Sequence, residues 1–376
     1  MASNTTNESQ LLDILTLNLV PGIGPRTNEL LLEYFQSPSK ILAATQKELE
    51  QVPGVGPKLA ASIINAKQTD KAEIELRRCQ ENGFSLLPRD SEAFPKHLLE
   101  IPDAPNLLYC RGHLQPRDEL AVAIVGSRRC THYGRQQAEM FAAALARAGL
   151  TIVSGLARGI DACAHRGALS AFGRTIAVTA TGLCEIYPPE HKQLAQEVAA
   201  NGAIVTEGRL DQKPSAGLFP QRNRIISGMS LGVIVVEATR NSGALHTARH
   251  AMEQGREVMA IPGRVDQLTS EGCHDLIRDG ATLITCPDDV LKSLGPLVEP
   301  VETAGGNETV HSPRELTLND REREILNLVT TEPQHIDEIL RASDIEPARV
   351  LSTLTVLEMK RMIRRLPGGS LVRSTY

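Results

Sequence analysis

Two short stretches hold residue types that could recognise an anion. Residues 151–169 read TIVSGLARGIDACAHRGAL. The β-branched run Thr151-Ile152-Val153 suits a buried strand. Ser154 and Gly155 end it, residues 157–159 turn, and a helix starts near Ile160. A strand, a glycine turn and a helix N-terminus make an anion site, because free backbone N–H groups and the positive helix end point at one spot. Arg158 stands in the turn, with Gly159 after it, and suits a phosphate. Residues 219–228 read FPQRNRIISG. Arg222 and Arg224 can pair bidentately with phosphates. Asn223 can bond backbone or base, and Phe219 can stack on a base, although for Phe219 alone the core is the expectation. A further arginine follows the apolar run 122–126, in Gly126-Ser127-Arg128-Arg129. The competing reading makes the arginines structural, paired with Glu207 or Glu237.

Other chemistry finds little footing. His246 and His250 are spaced i, i+4 in HTARH, but a zincin needs Glu beside its first His, where Thr247 stands. His165 lies one turn past Asp161 and is expected to hydrogen-bond it. Ser127 and Ser154 lack a G-x-S-x-G elbow. There is no P-loop, and no carboxylate cluster suggests two-metal chemistry. GLARGID is not the GxGxxG of a dinucleotide site, and no ribose-binding carboxylate follows the first strand. No catalytic residue, metal ligand or cofactor is therefore expected.

These motifs need a scaffold, and the apolar runs supply it. Strands are expected at 122–126, 151–155, 175–182, 203–207, 232–238 and 257–263, several of them continuous β-branched runs of the kind buried on both faces of a parallel sheet. Helices of about 10–20 residues between them predict a doubly wound, Rossmann-like α/β core over 119–295. Binding loops in such sheets lie at the carboxyl ends of the strands, where all the candidate residues fall.

The flanks differ. Residues 1–66 contain an internal repeat, LNLVPGIGPRTNELLLEYF and LEQVPGVGPKLAASII, with hairpins starting at Pro21 and Pro53. Each resembles a helix-hairpin-helix unit. The repeat either meets DNA phosphates or simply turns between helices. Residues 1–66 carry four basic residues against six acidic ones, which weighs against phosphate affinity. Residues 67–118 read as a connector packing on the core, and 296–317 as a flexible linker. Residues 318–376 suggest three helices and a two-stranded wing, a winged helix. From Met359 onward there are five basic residues and no acid, so the wing end is expected to be cationic, contacting nucleic acid or protein.

The 376 residues carry a net charge of −5, so any anion site must be local. Seven cysteines without a CxxC pair predict reduced thiols and a cytoplasmic protein. The polar first ten residues give no signal peptide, and no apolar run reaches the ~20 residues that span a bilayer, so no membrane partner is expected. Trp is absent and aromatics are 3%, too few for an extended base-stacking surface.

Taken together, VAIVGSR (122–128), SGLARGIDACAH (154–165), TGLCEIYP (181–188), FPQRNRIISG (219–228), VVEA with SGALHTA (235–248) and PGRVDQLTSEGCHDLIRDGA (262–281) strongly resemble the DNA-processing protein A family (DprA/Smf). The resemblance spans 119–285 in unbroken order, and the flanking domains fit it. It implies a non-enzymatic protein of natural transformation that binds single-stranded DNA, protects it, helps load the RecA recombinase and works as a homodimer. The DNA site it implies comprises Ser127, Arg128, Gly155, Arg158, Gly159, Gly182, Phe219, Arg222, Asn223 and Arg224. Family members often carry Lys at the Arg158 position, which keeps the charge. Dimerisation is implied near 273–281, through Leu276 and Ile277. One alternative is a nucleotide-processing enzyme related to phosphoribohydrolases. Their PGGxGTxxE mark corresponds here to NSGALHTARH, which lacks the second glycine of the pair and the catalytic Glu. Another is a nucleotide-sensing module signalling through the winged helix.

Overall fold

The computed structural model describes residues 2–294, 301–302, 309–310, 312–367 and 369–374. It divides into two units, Met1–Thr285 and Cys286–Tyr376.

The first unit begins with helices α1 (Ala2–Asn18), α2 (Pro25–Phe35), α3 (Pro38–Ala43), α4 (Gln46–Leu49), α5 (Pro57–Ala66) and α6 (Lys71–Glu81). The two sequence repeats are the turns before α2 and α5. In each, Pro opens the helix at a position where its missing N–H costs nothing, and a glycine in extended conformation precedes it. Leu17, Leu31, Ile41, Leu49 and Ile63 form the core of this tandem.

The sheet follows: β1 (Ser85–Pro88), α7 (Lys96–Leu99), β2 (Leu107–Gly112), β3 (Ala121–Val125), α8 (His132–Arg147), β4 (Thr151–Ser154), α9 (Ile160–Ser170), β5 (Thr175–Val178), α10 (Lys192–Asn201), β6 (Gly202–Thr206), α11 (Leu218–Gly228), β7 (Gly232–Val235), α12 (Ala244–Glu253), β8 (Glu257–Ala260), α13 (Leu268–Arg278) and β9 (Thr282–Leu283). The strand order is β1-β2-β6-β5-β4-β3-β7-β8-β9. From β6 to β9 every pairing is parallel. The core strands are buried along their whole length, as a sheet covered on both faces requires. All six expected strands form.

The segment expected to be a connector does more than pack. β1 and β2 both lie within 67–118 and extend the sheet antiparallel, with Tyr109 opposite Thr206. Leu107, Leu108 and Tyr109 are fully buried there.

The second unit contains α14 (Pro287–Ser293), the short pair β10 (Val301–Glu302) and β11 (Thr309–Val310), α15 (Asp320–Asn327), β12 (Gln334–His335), α16 (Ile336–Ala342), α17 (Pro347–Met359), β13 (Ile363–Leu366) and β14 (Ser370–Arg373). Three helices and the sheet β12-β14-β13 make a winged helix around Ile325, Ile339, Leu354 and Leu371. Residues 296–300, 303–308 and 311 of the expected linker lie outside the described residues; residues 313–317 form a 3-10 turn. The wing is less cationic than its composition. Lys360 pairs with Glu322, Arg365 with Glu358, and buried Arg373 with buried Glu315.

All seven cysteines are free. Among the described residues no helix is long and apolar enough to cross a membrane, and no group of three His, Cys, Asp or Glu is placed to hold a metal.

Candidate nucleic-acid interface

Arg128 and Arg158, just past the carboxyl ends of β3 and β4, meet Arg222 of α11 at one pocket, although 94 positions separate the first from the last in sequence. Tyr187, Pro188, Thr181 and Phe219 complete its walls. Arg128 is exposed, and its guanidinium carbon lies 4.9 Å from the centre of the Phe219 ring, a cation–π contact. The Tyr187 ring is 5.9 Å from that of Phe219 and tilted to it. Phe219 is thus a half-buried wall of the site rather than a core residue, contrary to the expectation for it alone.

The backbone around the pocket is fixed by two glycines. A Cβ on Gly155 would stand 2.5 Å from the Arg222 guanidinium, and one on Gly159 would stand 2.2 Å from Ser127 O. Gly159 also adopts φ +77°, which favours glycine. Ser127 serves the same loop contact. Its N–H donates to Glu237 O at 2.7 Å and its carbonyl accepts from the Ile160 N–H at 3.2 Å.

Two N–H groups of the array expected in the 155–159 turn are occupied from within. The Asp161 carboxylate accepts from the Ala157 N–H at 3.3 Å and also faces the Gly155 N–H. Burial raises the Asp161 carboxyl above its usual value, while Arg222, the Ala157 N–H and Arg128 pull it down. Asp161 is therefore an internal anion of the turn, and the arginine side chains line the pocket beside it. The pairing of Asp161 with His165 that their spacing predicts does not form. The His165 ring sits 2.7 Å from Thr175 Oγ1 and is fully buried.

The arginines differ in kind. Arg222 is 5% exposed, and its Nη1 donates to Gly155 O at 2.6 Å and to Val178 O. It ties the end of β4 to the end of β5 while its edge lines the pocket. Burial pushes its guanidinium down to about 10, against the pull of Asp161. Arg158 is half exposed and pairs with Glu190, whose carboxyl it holds below the usual range. Arg224 is absent from this pocket. It is buried and bound to Glu207 at 2.6 Å and Asp103 at 3.0 Å, so for Arg224 the ion-pair reading applies. Glu237 meets no arginine of the set; it accepts from Thr131 N–H and Oγ1 at the start of α8.

The other expected residues divide similarly. Asn223 accepts from Arg222 Nε at 3.2 Å, donates to Gly243 O at 3.2 Å, and lines the open groove of about 990 Å³ beside the pocket. Gly182 stands behind the pocket, where a Cβ would lie 2.1 Å from Arg209 O and Leu210 O, so its role is packing. Leu276 belongs to the hydrophobic core and Ile277 packs against it, so Leu276 is not a free surface for a partner. Tyr187, Thr181 and Glu190 were missed as site residues. The TGLCEIYP run that carries the first two offers only an aromatic after a glycine turn, too little to place them.

A family model described as DNA recombination-mediator protein A matches residues 85–295, more than half of the chain. The chain belongs to this family. Its first matched residue is Ser85, so the family's domain includes the two strands that precede β3. A DprA winged helix domain matches 310–369, and a SAM-like helix-hairpin-helix tandem matches 14–68. Protein Smf of Synechocystis sp. is 35% identical over 94% of this chain and 96% of its own length. The DNA processing protein DprA of Streptococcus pneumoniae is 43% identical over 60% of this chain and 78% of its own. The X-ray structure of DprA from S. pneumoniae matches with TM-score 0.67 and 36% identity, over 74% of this chain and 96% of that one. A DNA processing protein A from Helicobacter pylori, solved for its single-stranded DNA binding mode, matches with TM-score 0.51 and 34% identity, over 56% and 97% of the two chains.

Proposed function

We propose that this family member binds single-stranded DNA at the arginine pocket and acts in transformation and recombination without catalysing a reaction. The observation that carries the reading is the meeting of Arg128, Arg158 and Arg222 with Phe219 and Tyr187. Guanidinium groups suit phosphates, and two rings suit an unstacked base. Base-edge contacts that distinguish one sequence from another are not needed for such a site. The solved H. pylori relative supports the same ligand. Ser127, Gly155 and Gly159 would shape the loop, Asn223 would extend the site into the adjoining groove, Gly182 would act only through packing, and Arg224 only through its ion pairs with Glu207 and Asp103.

The reading extends to protecting incoming strands, to loading RecA on them, and to a homodimer formed near 273–281 in the cytoplasm. RecA filament assembly with and without the protein, and sedimentation velocity of an Ile277→Asp variant, check the loading and dimer proposals. The main test is fluorescence anisotropy with single- and double-stranded oligonucleotides of equal length. A preference for the single strand is expected; equal affinity for both would count against the reading.

A further inference from the structure

We propose that Glu190 is a positioning residue for DNA binding: its carboxylate holds the Arg158 guanidinium by Nε, which keeps the terminal Nη groups for a phosphate of the strand. The proposal rests on the single-strand reading above and gives a role to a residue that reading left out.

Glu190 belongs to the segment Tyr187-Pro188-Pro189-Glu190-His191, which meets the pocket and its turn at three places. The Tyr187 ring stands against Phe219. Glu190 Oε1 accepts from Arg158 Nε at 2.5 Å. His191 is buried, with its Nδ1 2.8 Å from the Leu156 carbonyl oxygen. A carbonyl only accepts, so Nδ1 is the donor. Leu156 is fully buried at φ +56°, a conformation leucine rarely adopts, and the His191 bond ties down the chain two residues before Arg158. Pro188 and Pro189 stiffen the segment, and Pro189–His191 form a 3-10 turn that sets Glu190 beside this buried anchor. One strap therefore holds both the backbone that carries Arg158 and the acceptor that fixes its side chain.

A guanidinium has five N–H donors. Glu190 bonds the one on Nε, and among the described residues no other carboxylate pairs with Arg158. Tyr187 of the same strap also reaches the guanidinium. No Nη group is spent on a carboxylate, so both can meet phosphate oxygens. Arg158 and Glu190 are each about half exposed, and exposed ion pairs contribute little to stability. What the pair supplies is order. An arginine side chain loses rotamer freedom when it clamps a phosphate, and fixing it beforehand lowers that cost. Each arginine of the pocket has such a hold. Arg222 is fixed by burial and two carbonyls, and Arg128 lies against the Phe219 ring. For the exposed Arg158 the hold is Glu190.

The test uses the full chain, a labelled oligothymidylate and fluorescence anisotropy, with thermal denaturation of every variant. Glu190→Ala removes the acceptor and should weaken binding roughly two- to fivefold with an unchanged melting temperature. Glu190→Gln keeps an amide oxygen for Nε, sheds the negative charge, and should bind at least as tightly as the parent. Because Glu190 acts through Arg158, Glu190→Ala should cause no further loss in the Arg158→Ala background. Tighter binding by Glu190→Ala would make the carboxylate a competitor of the phosphate. An equal loss with and without Arg158 would make its role general to the fold. Either result, no effect at all, or a Gln variant as weak as the Ala one would overturn the proposal. Arg158→Ala alone separates the two readings. If it binds as the parent does, the pocket reading fails; if it binds more weakly while Glu190→Ala does not, only the positioning role fails.

Discussion

At the scale of single residues, the arginines that converge on the pocket are not equivalent. Arg222 is a buried tie between β4 and β5, and Arg158 is an exposed arm. Removing Arg222 leaves the Gly155 and Val178 carbonyls without their donor. Arg222→Ala should therefore cost about 1–3 kcal/mol of stability in urea unfolding. Arg158→Ala should leave the unfolding midpoint unchanged while weakening DNA binding. Convergence of Arg128 and Arg158 was legible in the sequence because each follows a recognisable strand end, whereas Arg222 reaches the pocket from within α11. The difference in burial was not, because it depends on α11 crossing behind Gly155, a tertiary fact. His165 shows the same limit: its spacing suggested Asp161, but the fold turns the ring toward Thr175. Burial, with Arg222 and His191 nearby, pushes His165 down to about 3. Its folded-state pKa is below the unfolded value of about 6.5. The unfolded chain therefore binds the extra proton first, and stability falls as pH drops from about 6.5 toward 3, by up to about 1.4 kcal/mol per unit. His165→Gln should flatten that part of the pH profile; an unchanged profile would place the dependence elsewhere.

At the scale of elements, the parallel strands could be read because they are continuous β-branched runs, and their order follows from alternation with helices. The two antiparallel strands could not. SLLP and LLYCRG sit among prolines and pair with each other and with a strand almost a hundred residues away, Tyr109 meeting Thr206. Local pattern carries no record of such a partner. The glycine turn shows the opposite case. Its backbone conformation was legible, yet N–H groups of its anion site are taken by Asp161 from the first turn of α9, a residue expected to pair with His165. Burial makes that carboxylate costly without the N–H groups and Arg222 around it, which is why it takes them. In the winged helix, composition overstated the positive charge because Glu315, Glu322 and Glu358 come from outside the basic stretch.

At the scale of the whole molecule, a net charge of −5 means that DNA must be held by a local patch rather than by a general field. The pocket and the adjoining groove lie within the first unit, Met1–Thr285. A chain ending at Thr285 should therefore remain folded by circular dichroism and keep the single-strand affinity of the pocket. Loss of binding with the fold intact would make the winged helix the main site. The central claim is that Arg128 and Arg158 hold phosphates of a single strand. Its most direct test is the salt dependence of single-strand binding, measured by anisotropy for the parent, Arg128→Ala and Arg158→Ala. Each substitution should weaken binding and lower the magnitude of the log–log slope by about one unit or less, with the melting temperature unchanged. Unchanged slopes and affinities in both variants would contradict it.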